Sequence, residues 1–131
     1  MVEQPDVTTD VEALLVRYYE TYNSENADEL SELLSESVTV RSAAGVQHGR
    51  AAYLQTYRYM IGQFVDRMTP RDIQVDGAVA TVQITDELTA RADIPDFMGA
   101  SLREGQSMTL DLLGRYTVMD GRIAEIELTM A

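Results

Sequence analysis

The amino-acid sequence contains no cysteine, which excludes a disulfide framework, a thiol nucleophile and a thiolate metal site. It also lacks lysine, since all 10 basic residues are arginine, and these are outnumbered by 22 acidic residues. The net charge of -12 argues against nucleic acid and anionic membranes as partners, because binding to phosphate groups requires a cationic surface.

An acidic composition without lysine is typical of proteins from salt-loving microbes, in which high ionic strength screens the repulsion between like charges. A GC-rich genome would also favour arginine over lysine. The composition leaves both explanations open.

Long apolar runs are missing as well, and none approaches the ~18–20 residues that span a bilayer. The first residues, MVEQPDVTTD, are acidic and lack the basic and apolar regions of a secretory signal, so we expect a cytoplasmic protein. A chain of 131 residues that is 45% hydrophobic predicts one globular domain. We place this domain at residues 9–131, after a disordered lead at residues 1–8.

Two helices are predicted in the first third of the chain. Thr9 and Glu12 have the spacing of a capping box, and Asn26 and Glu29 repeat that spacing before a short second helix. The first helix has one apolar stripe, and the second turns its leucines inward. These residues are Val11, Leu14, Leu15, Tyr18, Tyr19 and Tyr22, followed by Leu30, Leu33 and Leu34.

A third helix is predicted after a brief strand at residues 38–41 and an Ala-Ala-Gly turn. It starts at Gly49, its buried face extends to Met68, and Pro70 closes the segment. The buried face consists of Tyr53, Tyr57, Met60, Ile61, Phe64, Val65 and Met68.

The apolar period then changes to two, which predicts strands joined by hairpins. Asp76-Gly77 and Asp120-Gly121 are hairpin turn signals, whereas residues 93–105 interrupt the pattern and predict a loop or a short helix. Helices followed by an antiparallel meander define an α+β domain. The predicted strands span residues 73–75, 78–91, 106–119 and 122–130, and the last of them turns Ala124, Ile126, Leu128 and Met130 inward.

Three segments of the chain have the form of one known superfamily. They are YYETYNSENADELSELLSESVTV at residues 18–40, the Gly-Arg-Ala-Ala helix start at residues 49–52 and GRYTVMDGRIAEIEL at residues 114–128. With the order of the predicted elements, they resemble the nuclear transport factor 2-like superfamily, and within it the SnoaL-like and ketosteroid-isomerase-like branch. The resemblance extends over residues 9–130.

This resemblance implies a cone-shaped, cystatin-like roll, in which a curved antiparallel sheet wraps around three N-terminal helices and leaves an apolar pocket at its open end. It also implies a homodimer packed through the open face of the sheet. The superfamily includes isomerases, polyketide cyclases, dehydratases and epoxide hydrolases, along with members that only bind or dimerise. The fold by itself therefore does not define the function.

The resemblance to the ketosteroid isomerases is incomplete at the positions that carry their chemistry. Tyr18 matches the tyrosine that donates to the substrate oxygen in that family. Ser42 stands where the family has its proton-shuttling aspartate, and Gly114 stands at or near its second donor, a neutral aspartic acid. Asp111 is close to that second position but has the opposite strand parity. Steroid-type isomerisation is therefore not expected.

Asp86 is the principal candidate for a catalytic group. Its strand parity places it with Val82, Ile84 and Leu88 on the face that meets the helices. Burial of a carboxylate in an apolar wall raises its pKa and favours a general acid or base. Alternatively, a β-bulge shifts the parity, so that Asp86 turns outward and Glu87 points in.

Tyr18 and His48 are further catalytic candidates, each with a structural alternative. Tyr18 is either a pocket donor or a core tyrosine bonded to the backbone. His48, the single histidine, is either a proton-transfer group at the pocket rim or a packing residue at the start of the third helix.

Further residues are expected to line a pocket for a small apolar molecule, with residues 93–105 as its lid. Arg91 and Arg115 have outward parity and are expected at the surface or in a dimer interface. No cofactor motif is present, and one histidine without cysteine does not form a metal site. The predicted lining residues are Tyr57, Met60, Phe64, Phe97, Met98, Met108 and Tyr116.

Two functions are compatible with these features. The first is a cofactor-free isomerase, cyclase or hydratase that acts by proton transfer on a small apolar carbonyl compound, with Asp86 as the acid or base, Tyr18 orienting the substrate and His48 assisting. The second is a non-catalytic ligand-binding or dimerisation module of the same fold.

Overall fold

The computed structural model describes residues 7–131, with side chains from residue 10 onward. The chain forms an α+β domain, as the sequence predicts, in which two helices and two strands precede a third helix and six further strands follow. The helices are α1 (Val7–Asn23), α2 (Ala27–Glu32) and α3 (Arg50–Gln63). The strands are β1 (Leu34–Ser42), β2 (Gly45–His48), β3 (Phe64–Asp76), β4 (Val79–Ala90), β5 (Ile94–Phe97), β6 (Ala100–Leu102), β7 (Ser107–Met119) and β8 (Arg122–Met130).

Six strands form a curved sheet that packs against the helices on one face, in the order β2-β1-β8-β7-β4-β3. Strand β1 runs parallel to β8, so the predicted curved antiparallel sheet contains one parallel pair and is mixed. All other neighbouring pairs are antiparallel. Strands β5 and β6 form a separate two-stranded sheet.

The N-terminal helix begins earlier than the capping pattern predicts. It starts at Val7, two residues before Thr9, and the predicted lead lies outside the described residues as far as residue 6. The Thr9 side chain is also outside them. The second cap is confirmed, because the Glu29 amide donates to Asn26 Oδ1 at 3.1 Å.

The third helix ends at Gln63, and the prediction that it continues to Met68 is wrong. Strand β3 begins at Phe64, so the buried residues there follow a period of two. Pro70 lies within this edge strand at a register shift, a place where a missing N–H is tolerated. The Arg91 guanidinium stabilises the junction between α3 and β3, since its Nε donates to the carbonyl of Ile61 at 2.8 Å.

The later strands confirm the predicted alternation, with two exceptions. A register shift between β7 and β8 buries Ile123, which displaces Ala124 from the predicted inward set. Residues 93–105, predicted as a loop or a short helix, contain the β5–β6 hairpin instead. Its turn places Met98 and Gly99 at positive φ angles of 53° and 83°, the geometry of a tight two-residue hairpin.

Six of the seven tyrosines are buried, and they form the centre of the core. Tyr19 on α1 donates a hydrogen bond to the Tyr116 hydroxyl on β7 at 2.8 Å. The Tyr116 ring fits because position 114 has no side chain. A Cβ at Gly114 would lie 2.7 Å from Cε2 of Tyr116 and 3.0 Å from Cδ1 of Ile84.

We predict that Gly114→Ala lowers the free energy of unfolding by about 1–3 kcal/mol, the usual cost of forcing an extra methyl group into a packed core. Gly62→Ala is the matched control. Gly62 lies on α3, and an added Cβ there meets no atom within 4 Å, so alanine should stabilise the helix by about 0.5–1 kcal/mol. Urea denaturation of both variants measures these changes; a Gly114→Ala protein as stable as wild type would contradict the packing argument.

Candidate active site

An apolar cavity of about 760 Å³ opens between the helices and the inner face of the sheet. Most of its wall consists of aliphatic, methionine and aromatic side chains from α3, β4, β7, β8 and the β5–β6 hairpin. Three acidic residues also line it, namely the buried Asp66 and Asp86 and the exposed Glu127. A volume of this size suits a small organic molecule.

Asp86 faces the cavity, as its strand parity predicts. It is only 4% exposed, whereas Glu87 is exposed on the opposite face. The register between β4 and β7 is continuous through Asp86↔Leu110 and Glu87↔Thr109. The alternative in which a bulge turns Glu87 inward is therefore wrong.

The second carboxyl, Asp66, comes from strand β3 and is 3% exposed. Asp66 lies opposite Leu88, and Met68 lies opposite Asp86, so the two aspartates are diagonal neighbours on one face of the sheet. The two carboxyl groups lie close enough for Asp66 to strengthen the hold of Asp86 on its proton. Tyr22 on α1 donates to Oδ2 of Asp66 at 2.7 Å.

The proton of this pair resides on Asp86. Burial, followed by the hydrogen bond and the charge of Asp66, raises the pKa of Asp86 to about 9. Tyr22 stabilises the negative charge on Asp66. Among the described residues, neither Asp66 Oδ1 nor Asp86 Oδ1 has a hydrogen-bond partner, so a proton on Asp86 would give the pair a donor that it otherwise lacks.

The end of α1 is joined to strand β3 beside the carboxyl pair. Asn23 donates to the Met68 carbonyl at 2.8 Å and accepts from the Met68 amide at 2.8 Å. Tyr57 donates to the carbonyl of Tyr22 at 2.6 Å. These bonds orient the Tyr22 hydroxyl toward Asp66.

Tyr18 lies behind the cavity wall and does not line it. Its hydroxyl is hydrogen-bonded to that of Tyr53 on α3, which does line the cavity. Neither sequence-based alternative describes this arrangement, because Tyr18 contacts another tyrosine rather than the backbone or the cavity.

His48 does not lie at the cavity. It is exposed on strand β2 and pairs with Thr39, whereas the adjacent Gln47 pairs with Val40 and lines the cavity. Side chains alternate between the two faces of a strand, so only one of the two neighbours can face inward. The proposed rim position of His48 is therefore wrong.

The positions that match the catalytic aspartates of the ketosteroid isomerases carry no carboxyl group at the cavity in this protein. Ser42 lines the cavity, and its Oγ accepts from the Ala44 amide at 3.2 Å. Asp111 is exposed, as its parity predicts, and Gly114 is covered by Tyr116. Arg115 is exposed on the outer face of the sheet.

Four of the predicted lining residues reach the cavity, namely Tyr57, Met60, Phe97 and Met98. The other three do not. Phe64 and Met108 pack with the β5–β6 hairpin in a smaller apolar cluster, because Phe64 belongs to β3 rather than to the third helix. Tyr116 lies in the main core.

Sequence reasoning missed Asp66 and the role of Tyr22. Asp66 was concealed because Phe64 and Met68 are four residues apart, a spacing that fits a helix as well as a strand. The alternation of Phe64, Asp66 and Met68 before Pro70 is the signal that could have placed Asp66 on a strand.

Among the side chains that the structure describes, no three carboxylate or imidazole groups converge to hold a metal ion. No helix within residues 7–131 is long and apolar enough to cross a membrane.

The α+β roll and the carboxyl pair at its apolar cavity together indicate a protein with a pocket for a small molecule. The model of the SnoaL-like domain matches residues 15–126. The chain belongs to the SnoaL-like family, within the nuclear transport factor 2-like superfamily. No curated protein sequence matches it significantly.

Solved structures share this fold at low sequence identity. An LEH-like epoxide hydrolase from M. tuberculosis is 18% identical with a TM-score of 0.77, over 95% of this chain and 84% of that one. A candidate polyketide cyclase from Xanthomonas campestris is 22% identical with a TM-score of 0.78, over 94% and 91%. A candidate SnoaL-like polyketide cyclase from Jannaschia sp. CCS1 is 13% identical with a TM-score of 0.79, over 98% and 90%.

We predict that rising pH destabilises the protein through Asp86. The unfolded chain releases this proton near the ordinary pKa of 3.8, whereas the folded protein holds it up to about 9. Folding between these values takes up a proton, so the free energy of unfolding falls as pH rises, by up to about 1.4 kcal/mol per pH unit.

Asp86→Asn removes this dependence, because its amide replaces the carboxylic proton as a donor to Asp66. Urea denaturation at pH 5, 6.5 and 8 should therefore show the variant gaining stability over wild type as pH rises. Glu87→Gln, at the neighbouring exposed carboxylate, is the control. Parallel pH dependence of wild type and Asp86→Asn would show that Asp86 ionises normally.

Proposed function

We propose that this protein is a cofactor-free enzyme that transfers protons on a small, apolar carbonyl compound, as an isomerase or cyclase does. The observation that carries the proposal is the Asp66–Asp86 pair, which presents a carboxylate and a carboxylic acid side by side at an apolar cavity. Groups held in opposite protonation states at one pH are a usual basis of acid–base catalysis.

In the proposed reaction, the Asp66 carboxylate removes a proton from the carbon next to the substrate carbonyl. Asp86 gives its proton to the carbonyl oxygen, and a neutral enol results. In an isomerisation, Asp66 returns its proton to a different carbon of the enol system while Asp86 takes back the enol proton. In a cyclisation, the enol carbon attacks a second carbonyl group, whose oxygen takes the proton from Asp66, while Asp86 again takes back the enol proton. The active site keeps one negative charge throughout, which avoids a second charge in an apolar environment.

The same pair argues against a purely non-catalytic module. Burial of two carboxyl groups in contact is costly, and apolar side chains of similar volume would serve packing alone at least as well. The cost is explained if the pair acts on a bound molecule. An LEH-like epoxide hydrolase shares this fold, which supports a catalytic role for the cavity.

The assignment of roles differs from that expected from the sequence. Asp86 is the acid, and Asp66, which replaces His48 as the partner, is the base. Tyr22 holds the charge on Asp66 through their 2.7 Å hydrogen bond.

We predict that the protein accelerates the exchange of α-protons for deuterium in 2-tetralone, a neutral apolar ketone, in D₂O. Asp66→Asn should lower this rate about 100-fold or more, because general base catalysis contributes about 10²–10⁴-fold. Asp86→Asn should lower it as well. ¹H NMR of the ketone follows the exchange.

Asp111→Asn and Glu87→Gln are the controls, since both carboxylates are exposed outside the cavity. They should exchange the ketone protons at the wild-type rate. A wild-type rate in Asp66→Asn, or no acceleration over buffer by the wild-type protein, would refute the proposed reaction.

We also propose that two copies associate through the outer face of the sheet, which carries polar side chains around one half-exposed leucine. Leu113 is 38% exposed on β7 and lies between Gln83 and Thr129 of the adjacent strands. A mixed polar and apolar face of this kind suits a protein interface.

Leu113→Arg should convert the dimer to a monomer, because two arginines would be brought together near the centre of the interface. Light scattering after size exclusion, at about 100 μM protein, measures the mass. Tyr59→Arg, at a residue 65% exposed on α3, should leave the mass unchanged. A wild-type monomer at this concentration would contradict the proposal.

A further inference from the structure

The cavity extends from the carboxyl pair across the sheet to strand β8. Asp86 pairs with Leu110 on β7, and the next inward residue of that strand, Leu112, pairs with Met130 on β8. Leu110, Leu112 and Met130 all line the cavity. Asp86 and Met130 are therefore two strands and one two-residue step apart, which is about 12 Å between their Cα atoms at ordinary strand spacing.

The wall over this distance is apolar and ends at the solvent. Met130 lines the cavity although its side chain is 56% exposed. The turn between β1 and β2 contributes two alanines, whose side chains occupy little space. We call this part of the cavity the apolar arm, and its residues are Ala43, Ala44, Leu110, Leu112, Leu128 and Met130.

The other side of the carboxyl pair, toward strand β3, is filled by protein. Phe97 of the β5–β6 hairpin packs on Phe64, with ring centroids 4.8 Å apart. Both belong to the smaller apolar cluster, with Leu88 and Leu102. Because this cluster occupies the space beside the hairpin, a long ligand at the carboxyl pair has more room along the apolar arm.

The charges around the cavity restrict the class of ligand. The carboxyl pair holds one negative charge, and the exposed Glu127 adds another. Among the described lining residues, Arg41 is the only cation, and it is exposed and in register with Glu127. An anionic ligand would be repelled, so the expected ligand is neutral.

We propose that the apolar arm is a binding subsite for the tail of an elongated, neutral ketone whose carbonyl group lies near one end of the molecule. This rests on the proposed function, because the carbonyl group must sit at the carboxyl pair. A tail that reaches Met130 covers a large apolar side chain that is otherwise in water, and burial of apolar surface favours binding.

The test compares 2-undecanone with 6-undecanone, two isomers of which only the first has its carbonyl group near the end of the chain. With the carbonyl at the carboxyl pair, the tail of 2-undecanone reaches Met130, whereas both halves of 6-undecanone are too short. Calorimetric titration should show that 2-undecanone binds about 16-fold more tightly, as expected for two further buried methylene groups at about fourfold each.

The position of the tail can be read from methionine oxidation. Hydrogen peroxide transfers one oxygen atom to the sulfur of an exposed methionine and is itself reduced to water. Bound 2-undecanone should slow the oxidation of Met130 several-fold, and 6-undecanone should not. Met119 is 61% exposed at the end of β7 and does not line the cavity, so its rate should stay constant. Mass spectrometry of peptides measures both rates.

Met130→Ser and Met119→Ser form a matched pair of variants, since both side chains are exposed and neither supports the core. Met130→Ser should weaken the binding of 2-undecanone about fourfold, the effect of one methylene group that is no longer buried. It should not change the binding of 6-undecanone. Met119→Ser should leave both affinities at the wild-type values.

Equal affinity for the two isomers would overturn the proposal, as would failure of 2-undecanone to bind. Protection of Met98, which lines the cavity on the hairpin and is 53% exposed, in place of Met130 would also overturn it. These measurements need no turnover. If the protein does not exchange the protons of 2-tetralone but 2-undecanone protects Met130, the reaction is wrong and the subsite stands. If exchange depends on Asp66 and the isomers bind alike, the reaction stands and the subsite is wrong.

Discussion

The proton shared by Asp66 and Asp86 is the interaction on which the site depends. Without it, two carboxylates would face each other in an apolar wall, and their repulsion and desolvation would oppose folding. With it, the pair carries one charge, which Tyr22 stabilises at 2.7 Å. This single, stabilised charge is why the fold can tolerate two buried carboxyl groups. It also leaves one group in its acid form beside the other in its base form.

The surrounding architecture holds this pair in place through helix α1. Asn23 is joined to both backbone groups of Met68, two residues from Asp66, and Tyr57 fixes the carbonyl of Tyr22. The residues that hold α1 against β3 therefore also fix the position of Asp66, the proposed base. Displacement of α1 would change both the stability of the protein and the proton affinity of its site.

The sequence predicts the strands with long, regular alternation well and the short or ambiguous segments poorly. Asp86 was placed correctly because β4 alternates without interruption over 12 residues. His48 was not, because β2 has four residues and its parity is indistinct. Asp66 was missed since Phe64 and Met68 satisfy two periodicities at once. The contact between the two aspartates depends on strand register, which a local pattern does not encode.

The β5–β6 hairpin forms its own sheet and contributes Phe97 and Met98 to the cavity wall. Its backbone pairing is independent of the ladder that positions the carboxyl pair. Mutations in this hairpin can therefore reshape the space available to a ligand while the acid–base groups stay where they are. Ligand preference and the proposed acid–base chemistry are therefore separable, and selection can change the first without rebuilding the second.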